Sequence, residues 1–101
     1  MNRRLKLHEL LKNVLGSSNV YFQPPEMLKL KYPAIIYALD RINTGYADDI
    51  PYTTARAYSI TVIDKNPDSE IVDRIAALPS CKFNRFFVSD NLNHTVFTIT
   101  Y

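Results

Sequence analysis

Hydrophobic and polar residues alternate most regularly in the middle of the chain. From Tyr58 to Val62, large apolar side chains alternate with Ser and Thr. A period of two is typical of a strand with one buried face. We predict a strand here that ends at Asp64.

The pattern changes to a helical one immediately afterwards. Asn66 is suited to cap a helix that starts at Pro67, and Pro79 is expected to end that helix. These signals predict a helix over residues 67–78. Its apolar stripe recurs at i, i+4 and i+7 and consists of Ile71, Ile75 and Leu78. This stripe should pack on the buried face of the preceding strand.

The N-terminal half is predicted from the same kinds of pattern. Apolar residues at helical spacing predict a helix over residues 3–15, followed by Gly16 in a left-handed conformation. Residues 19–23 are β-branched and aromatic but precede two prolines, which favours an edge strand. A well-buried strand is expected over residues 34–42, and residues 43–54 are interpreted as an extended loop.

The C-terminal segment predicts two further strands. The turn-forming segment SDNLN is flanked by two strand-like segments, CKFNRFFV and HTVFTITY. The element order is then α-β-β-β-α-β-β. The sequence therefore predicts one α+β domain over residues 1–101, with a mainly antiparallel sheet of about five strands packed by two helices.

Composition is that of an ordinary globular protein. Hydrophobic residues make up 47% of the chain and charged residues 22%, which argues against disorder. The single Cys81 cannot form an internal disulfide, and no signal peptide or long apolar run is recognisable, so we expect assembly in a reducing cytoplasm and no membrane partner.

Charge is unevenly distributed along the chain. Residues 1–31 hold six Lys or Arg and two Glu, so the remainder is net negative. The unlike regions could guide self-association, although a solvated helix face explains the basic segment as well. Arg3 and Arg4 are the contact candidates from this region.

The sequence offers no convincing catalytic, cofactor or metal site. His8 and His94 lack ligands at metal-binding spacing, so both are expected to be structural, His8 in an exposed or capping role and His94 beside a hairpin. Cys81 has no local activating base and is expected to be a small buried hydrophobe. Asp48 and Asp49 are adjacent, but neighbouring side chains point apart in an extended chain, so acid/base catalysis is disfavoured.

Aromatic residues outside the core pattern indicate an interface. Tyr46 and Tyr52 lie in the expected loop beside Asp48 and Asp49, and we name these four as contact candidates. Arg85 lies among phenylalanines, but one basic residue falls short of an RNA-binding motif.

Four sequence segments, in a fixed order, suggest a family. They cover almost the whole chain and are NVYFQPPE, KYPAIIY, VIDKNPDSEI and FVSDNLNHTVF. In the residues and order of these segments, the chain resembles small neck proteins of long-tailed bacteriophages. These belong to the tail-terminator or tail-completion group and are also described as minor capsid or head-tail joining proteins.

The resemblance implies a structural protein of the virion. Such a protein would form a ring, of six copies, that ends the tail tube and joins it to the head connector. Its partners would be itself, the tail tube protein and the head-completion protein, with no cofactor, small-molecule substrate or specific nucleic acid.

Two other hypotheses are left open by the residues. One is a small cytoplasmic binding or regulatory module, for RNA or a host protein, that acts without catalysis. The other, a small hydrolase, is disfavoured because no nucleophile lies beside a base. Oligomer mass separates the ring from both.

Overall fold

The computed structural model describes residues 3–24, 31–47 and 50–100, with the side chains of Arg3 and residues 43–55 left out. Within these ranges the chain forms two helices and five strands. They are α1 (Arg3–Leu15), β1 (Val20–Phe22), β2 (Ala34–Ala47), β3 (Ile50–Asp64), α2 (Glu70–Ala76), β4 (Cys81–Ser89) and β5 (Leu92–Thr100). The predicted order of elements is confirmed.

The five strands form one sheet in the order β1-β2-β3-β5-β4. Only β1 and β2 run parallel, and every other neighbouring pair is antiparallel. The predicted α+β fold with a mainly antiparallel sheet is therefore confirmed.

Both helices pack on the same face of the sheet and form the core with it. This face includes Tyr37 on β2, Ile60 on β3 and Phe97 on β5, which lie side by side in the strand register. Leu7 and Leu11 of α1 are fully buried against the sheet, as is Ile75 of α2. We call this side the helix face and the opposite side the open face.

The first helix ends where its sequence predicts. The backbone N–H of Gly16 donates to the carbonyl of Lys12 at 2.8 Å, and Gly16 has φ +78. A left-handed residue at this position is the usual C-terminal cap of a helix. The chain then enters β1, which is the predicted edge strand.

The interpretation of residues 43–54 as an extended loop is wrong for the residues described. β2 and β3 stay paired from Ala34↔Ile63 out to Ala47↔Ile50, with register shifts after Leu39 and Gly45. Each strand pairs with the backbone groups that the other directs toward it, and this ladder keeps the segment extended without core contacts. The two strands form a long hairpin arm, and the longest dimension of the molecule is 51 Å.

The second helix is shorter than predicted. It runs over Glu70–Ala76, and Ser69, not Asn66, is its N-cap, because the Ser69 hydroxyl accepts from the N–H of Ile71 at 3.3 Å. The Asn66 side chain instead accepts from the N–H of Asp68 at 3.0 Å and holds a turn before the helix.

The predicted docking of the helical stripe is confirmed in its essentials. Ile71 and Ile75 are buried in the core, and Leu78 packs on the core from beyond the C-cap at Ala77.

The C-terminal hairpin is confirmed with a tighter turn than SDNLN suggests. β4 and β5 are joined by Asp90 and Asn91 alone, with φ 52 and 63. Two successive positive φ values are the signature of a type I′ turn, in which Asp and Asn are favoured.

Candidate functional site

The most unusual surface in the described part of the chain belongs to β4, one of the two outermost strands of the sheet. Every residue of β4 after Cys81 is exposed. Four are large and apolar, with the following exposed fractions: Phe83 62%, Phe86 50%, Phe87 38% and Val88 61%. Exposed, apolar edge strands are normally avoided in monomers because they invite pairing with other chains. We call this surface the β4 edge.

A bulge at Asn84 concentrates the apolar side chains of β4 on one side. Phe83 pairs with Phe97 and Phe86 pairs with Thr95, so the register shifts by one residue between them. The shift brings Phe83 and Phe86 onto the same side of the sheet despite their spacing of three. This side is the helix face, because Phe83 pairs with Phe97, and the two rings make an edge contact at 6.0 Å.

On the open face, β4 has a different character. The Phe87 ring stacks on His94 with centroids 4.6 Å apart and an angle of 12°. The Arg85 guanidinium lies 5.5 Å from the centroid of the same Phe87 ring. Cation, aromatic ring and imidazole thus form one exposed cluster.

The backbone of β4 also presents unused hydrogen-bonding groups. The N–H of Thr100 donates to the carbonyl of Ser80 at 3.2 Å. Ser80 therefore directs its backbone groups toward β5. Because these directions alternate along an antiparallel strand, Lys82 also faces β5, and Phe83 directs its N–H and C=O to the outer edge. The β4 edge can therefore accept another strand.

A shallow depression of about 320 Å³ lies on the open face next to β4. Its polar lining consists of Arg41, Ser80, Lys82, Asn84, Thr98 and Thr100. Arg41 and Lys82 form no ion pair with any described residue. The lining contains cations and hydroxyls but neither a carboxylate nor an imidazole.

The second cluster of polar side chains joins α1 to the sheet. The imidazole Nδ1 of His8 lies 2.8 Å from the Tyr37 hydroxyl, and the Arg4 guanidinium lies 4.6 Å from the Phe22 ring centroid. Burial raises the pKa of Tyr37, although a hydrogen bond from Arg4 opposes the rise. Burial and the nearby Lys12 charge lower the pKa of His8, which favours the neutral imidazole.

This cluster corrects the expectation for His8. The side chain is neither fully exposed nor a cap, because it is partly buried and bonded to Tyr37. His94 lies within β5, beside the hairpin turn as expected. Cys81 is half-buried against the core, where burial raises the pKa of its thiol, and such a thiol is a poor nucleophile.

The structure places the predicted contact residues in two regions. Tyr46 and Tyr52 belong to the paired arm strands β2 and β3, and Tyr46 pairs with Pro51, the residue next to Tyr52. Tyr46 lies nine residues, or about 30 Å, along β2 from Tyr37. Asp48 and Asp49 lie outside the described residues. Arg3 begins α1, and Arg4 packs on β1.

The parts of the chain that the structure describes contain no group of three His, Cys, Asp or Glu arranged to bind a metal ion. In the same parts, no helix has the length and apolar character needed to cross a membrane. No protein-family model matches the chain, and no curated protein is significantly similar to it.

Sequence reasoning missed the β4 edge as a site. The text FNRFFV predicts a strand, but only the strand order shows that this strand is outermost. One signal was available: Phe83, Phe86 and Val88 depart from strict alternation, and such a departure is typical of a bulge at an edge.

Proposed function

We propose that the chain is a structural subunit of the neck of a long-tailed phage, where copies of it form a ring that ends the tail tube and joins it to the head. The observation that carries the proposal is the β4 edge, an apolar strand with free backbone groups. A surface of this kind is stable when another protein covers it.

The shape of the sheet supports a ring in preference to a two-fold dimer. The β4 edge lies at one end of the sheet, and the opposite end is formed by β1 and by the part of β2 that β1 does not cover, so the two edges are different surfaces. When two different patches of identical subunits meet, each subunit keeps one patch free, and a closing rotation gives a ring. Six copies is the number that the family resemblance implies.

The described residues also fit a role without catalysis. The depression on the open face has no carboxylate or imidazole in its lining, and the two histidines contact Tyr37 and Phe87. The functional demand on such a subunit is association on the end of a tube. Association in dilute solution can therefore be weak, because neighbours on the tube raise each other's effective concentration.

The deciding experiment is deletion of the coding sequence in the parent phage, with electron microscopy of the lysate. We expect tails of uncontrolled length, or finished tails lying unattached beside filled heads. Expression of the wild-type chain from a plasmid should restore normal particles. Intact infectious particles in normal yield without the gene would contradict the proposal.

One observation favours a second candidate function, a module that binds single-stranded nucleic acid. The open face carries Arg41, Lys82 and Arg85, with the stacked Phe87 and His94 rings beside them. Basic side chains beside exposed rings are the usual elements of such a platform.

Fluorescence anisotropy with a labelled single-stranded oligonucleotide distinguishes this candidate from the ring. A nucleic-acid module should bind tightly at low salt, lose affinity on Arg85→Ala, and weaken steeply as salt is raised. A ring subunit without this function should give no saturable signal.

A further inference from the structure

We infer that the β4 edge is covered by the arm strand β2 of a second copy of this chain, so that the sheets of neighbouring subunits join edge to edge around the ring. This inference rests on the proposed function and specifies its subunit contact.

The first argument is that the opposite edge of the sheet is also open. β1 covers β2 only at Ile35, Ile36 and Tyr37, and the Gln23 side chain caps the N–H of Leu39 at 3.2 Å. Beyond that point no strand lies outside β2 among the described residues. Residues 40–47 therefore present free backbone groups, as β4 does.

The second argument is length. The open part of β2, residues 40–47, is nearly as long as the nine residues of β4. The short strand β1 stops at Phe22 before it reaches this part, and Pro24 cannot donate a ladder hydrogen bond. A neighbouring β4 thus fits beside the arm without displacing β1.

The third argument is strand direction. Three successive antiparallel pairings separate β2 from β4, so the two strands run in opposite directions within a subunit. Rotation about a ring axis keeps each strand's direction along that axis. The β4 of one subunit therefore meets the β2 of the next as an antiparallel pair, which continues the pattern of the sheet.

The fourth argument is the position of the exposed apolar side chains. Leu39 and Ile42 of β2 are 38% and 52% exposed, and their register partners Tyr58 and Arg56 place them on the helix face. Phe83, Phe86 and Val88 lie on that same face of β4. Joining the two edges makes the exposed apolar side chains adjacent on one face, so that they bury part of their surface against each other.

The pairing predicts which ends of the strands meet. In the antiparallel arrangement, Val88 lies near the start of the open edge at Asp40, and Lys82 lies near the far end of the arm. A Cys81→Ala background removes the native thiol. In it, Val88→Cys is combined in turn with Asp40→Cys, Arg41→Cys and Ile42→Cys, and Lys82→Cys is the matched control.

The assembled protein is oxidised and its mass is measured under denaturing, non-reducing conditions. We expect Val88→Cys to give a ladder of linked subunits with at least one β2 partner, at more than tenfold the yield of Lys82→Cys. A ladder with Lys82→Cys instead would overturn the antiparallel direction. Assembled rings without any ladder would overturn the edge contact while leaving the ring intact.

A backbone test does not depend on disulfide geometry. Phe83→Pro removes an outward N–H, whereas Phe83→Val removes the ring but keeps this N–H. If the strands pair, Phe83→Pro should reduce assembly at least tenfold below Phe83→Val, with thermal melts showing both variants folded. Equal assembly of the two variants would contradict the pairing. Absence of assembly by wild type, alone and on tail tubes, would overturn both the inference and the proposed function.

Discussion

The Nδ1 atom of His8 and the hydroxyl oxygen of Tyr37 lie 2.8 Å apart, and this hydrogen bond joins α1 to β2. Tyr37 is fully buried, and its ring lies between Phe22 at 5.0 Å and Tyr58 at 6.2 Å. The contact thus connects the first helix to the centre of the core.

Replacing Tyr37 by Phe should lower the free energy of unfolding by about 0.5 to 3 kcal/mol, because it leaves the partly buried imidazole of His8 without its hydrogen-bond partner. Tyr21→Phe, on the partly exposed strand β1, is the control and should stay within about 0.5 kcal/mol of wild type. Denaturant melts measure both. Equal effects of the two substitutions would mean that the His8 contact adds no stability.

The same contact predicts a pH dependence. Burial lowers the pKa of His8 in the folded state below its usual value of 6.5, so below pH 6.5 the unfolded chain takes up a proton that the folded chain resists. His8 should therefore favour folding above pH 6.5, and this contribution should be lost as the pH falls through the lowered pKa.

Urea melts of wild type and His8→Gln across this range provide the measurement. The difference in free energy of unfolding between the two proteins should fall in acid. A difference that stays constant with pH would show that His8 titrates alike in the folded and unfolded chains.

Truncation of the second helix should be costly. Ile75 is fully buried, and Ile75→Ala should lower the free energy of unfolding by about 2 to 5 kcal/mol through lost burial and the remaining cavity. Leu5→Ala is the control, because Leu5 is 53% exposed on α1. A loss under about 0.5 kcal/mol for Ile75→Ala in denaturant melts would show that the helix does not dock on the sheet.

The capping residue of α2 can be tested separately. Ser69→Ala should cost about 0.5 to 2 kcal/mol, because the N–H of Ile71 loses its buried acceptor. Ser18→Ala, at an exposed turn position, should change stability by less than about 0.5 kcal/mol. If Ser69→Ala were as mild as Ser18→Ala in thermal melts, the cap would be unimportant.

The β4 edge should matter for assembly more than for folding. Phe86→Glu places a charge on a half-exposed position and should change the free energy of unfolding by less than about 1 kcal/mol. Under the proposed function, the same substitution should prevent ring formation and phage complementation. Leu5→Glu is matched in exposure and should complement normally. Complementation by both variants would exclude the β4 edge from the subunit contact.

The sequence by itself determined the elements of this protein and their order. Strand alternation from Tyr58 to Val62, the stripe of Ile71 and Ile75, and the turn at Asp90 and Asn91 each depend on neighbours along the chain. Local patterns of this kind hold because strand and helix periodicity decide which side chains share a face.

The start of α2 and the extended conformation of the hairpin arm depended on contacts that the spacing of residues in the sequence does not specify. Both Asn66 and Ser69 are good capping residues, and the hydroxyl of Ser69 was the one that reached a helical N–H. Residues 43–54 have loop-like composition, yet pairing of β2 with β3 keeps the described part extended because each strand supplies the other's hydrogen bonds.

The candidate site was decided by tertiary structure alone. In the sequence alone, a strand with the apolar residues Phe83, Phe86 and Val88 is typical of a core strand. These side chains are exposed because β4 pairs with β5 on one side and, among the described residues, with no strand on the other. Strand order is a long-range property, since it depends on which edges meet in space. For the same reason, the hydrogen bond of the partly buried His8 could be recognised only once the position of α1 against Tyr37 was known.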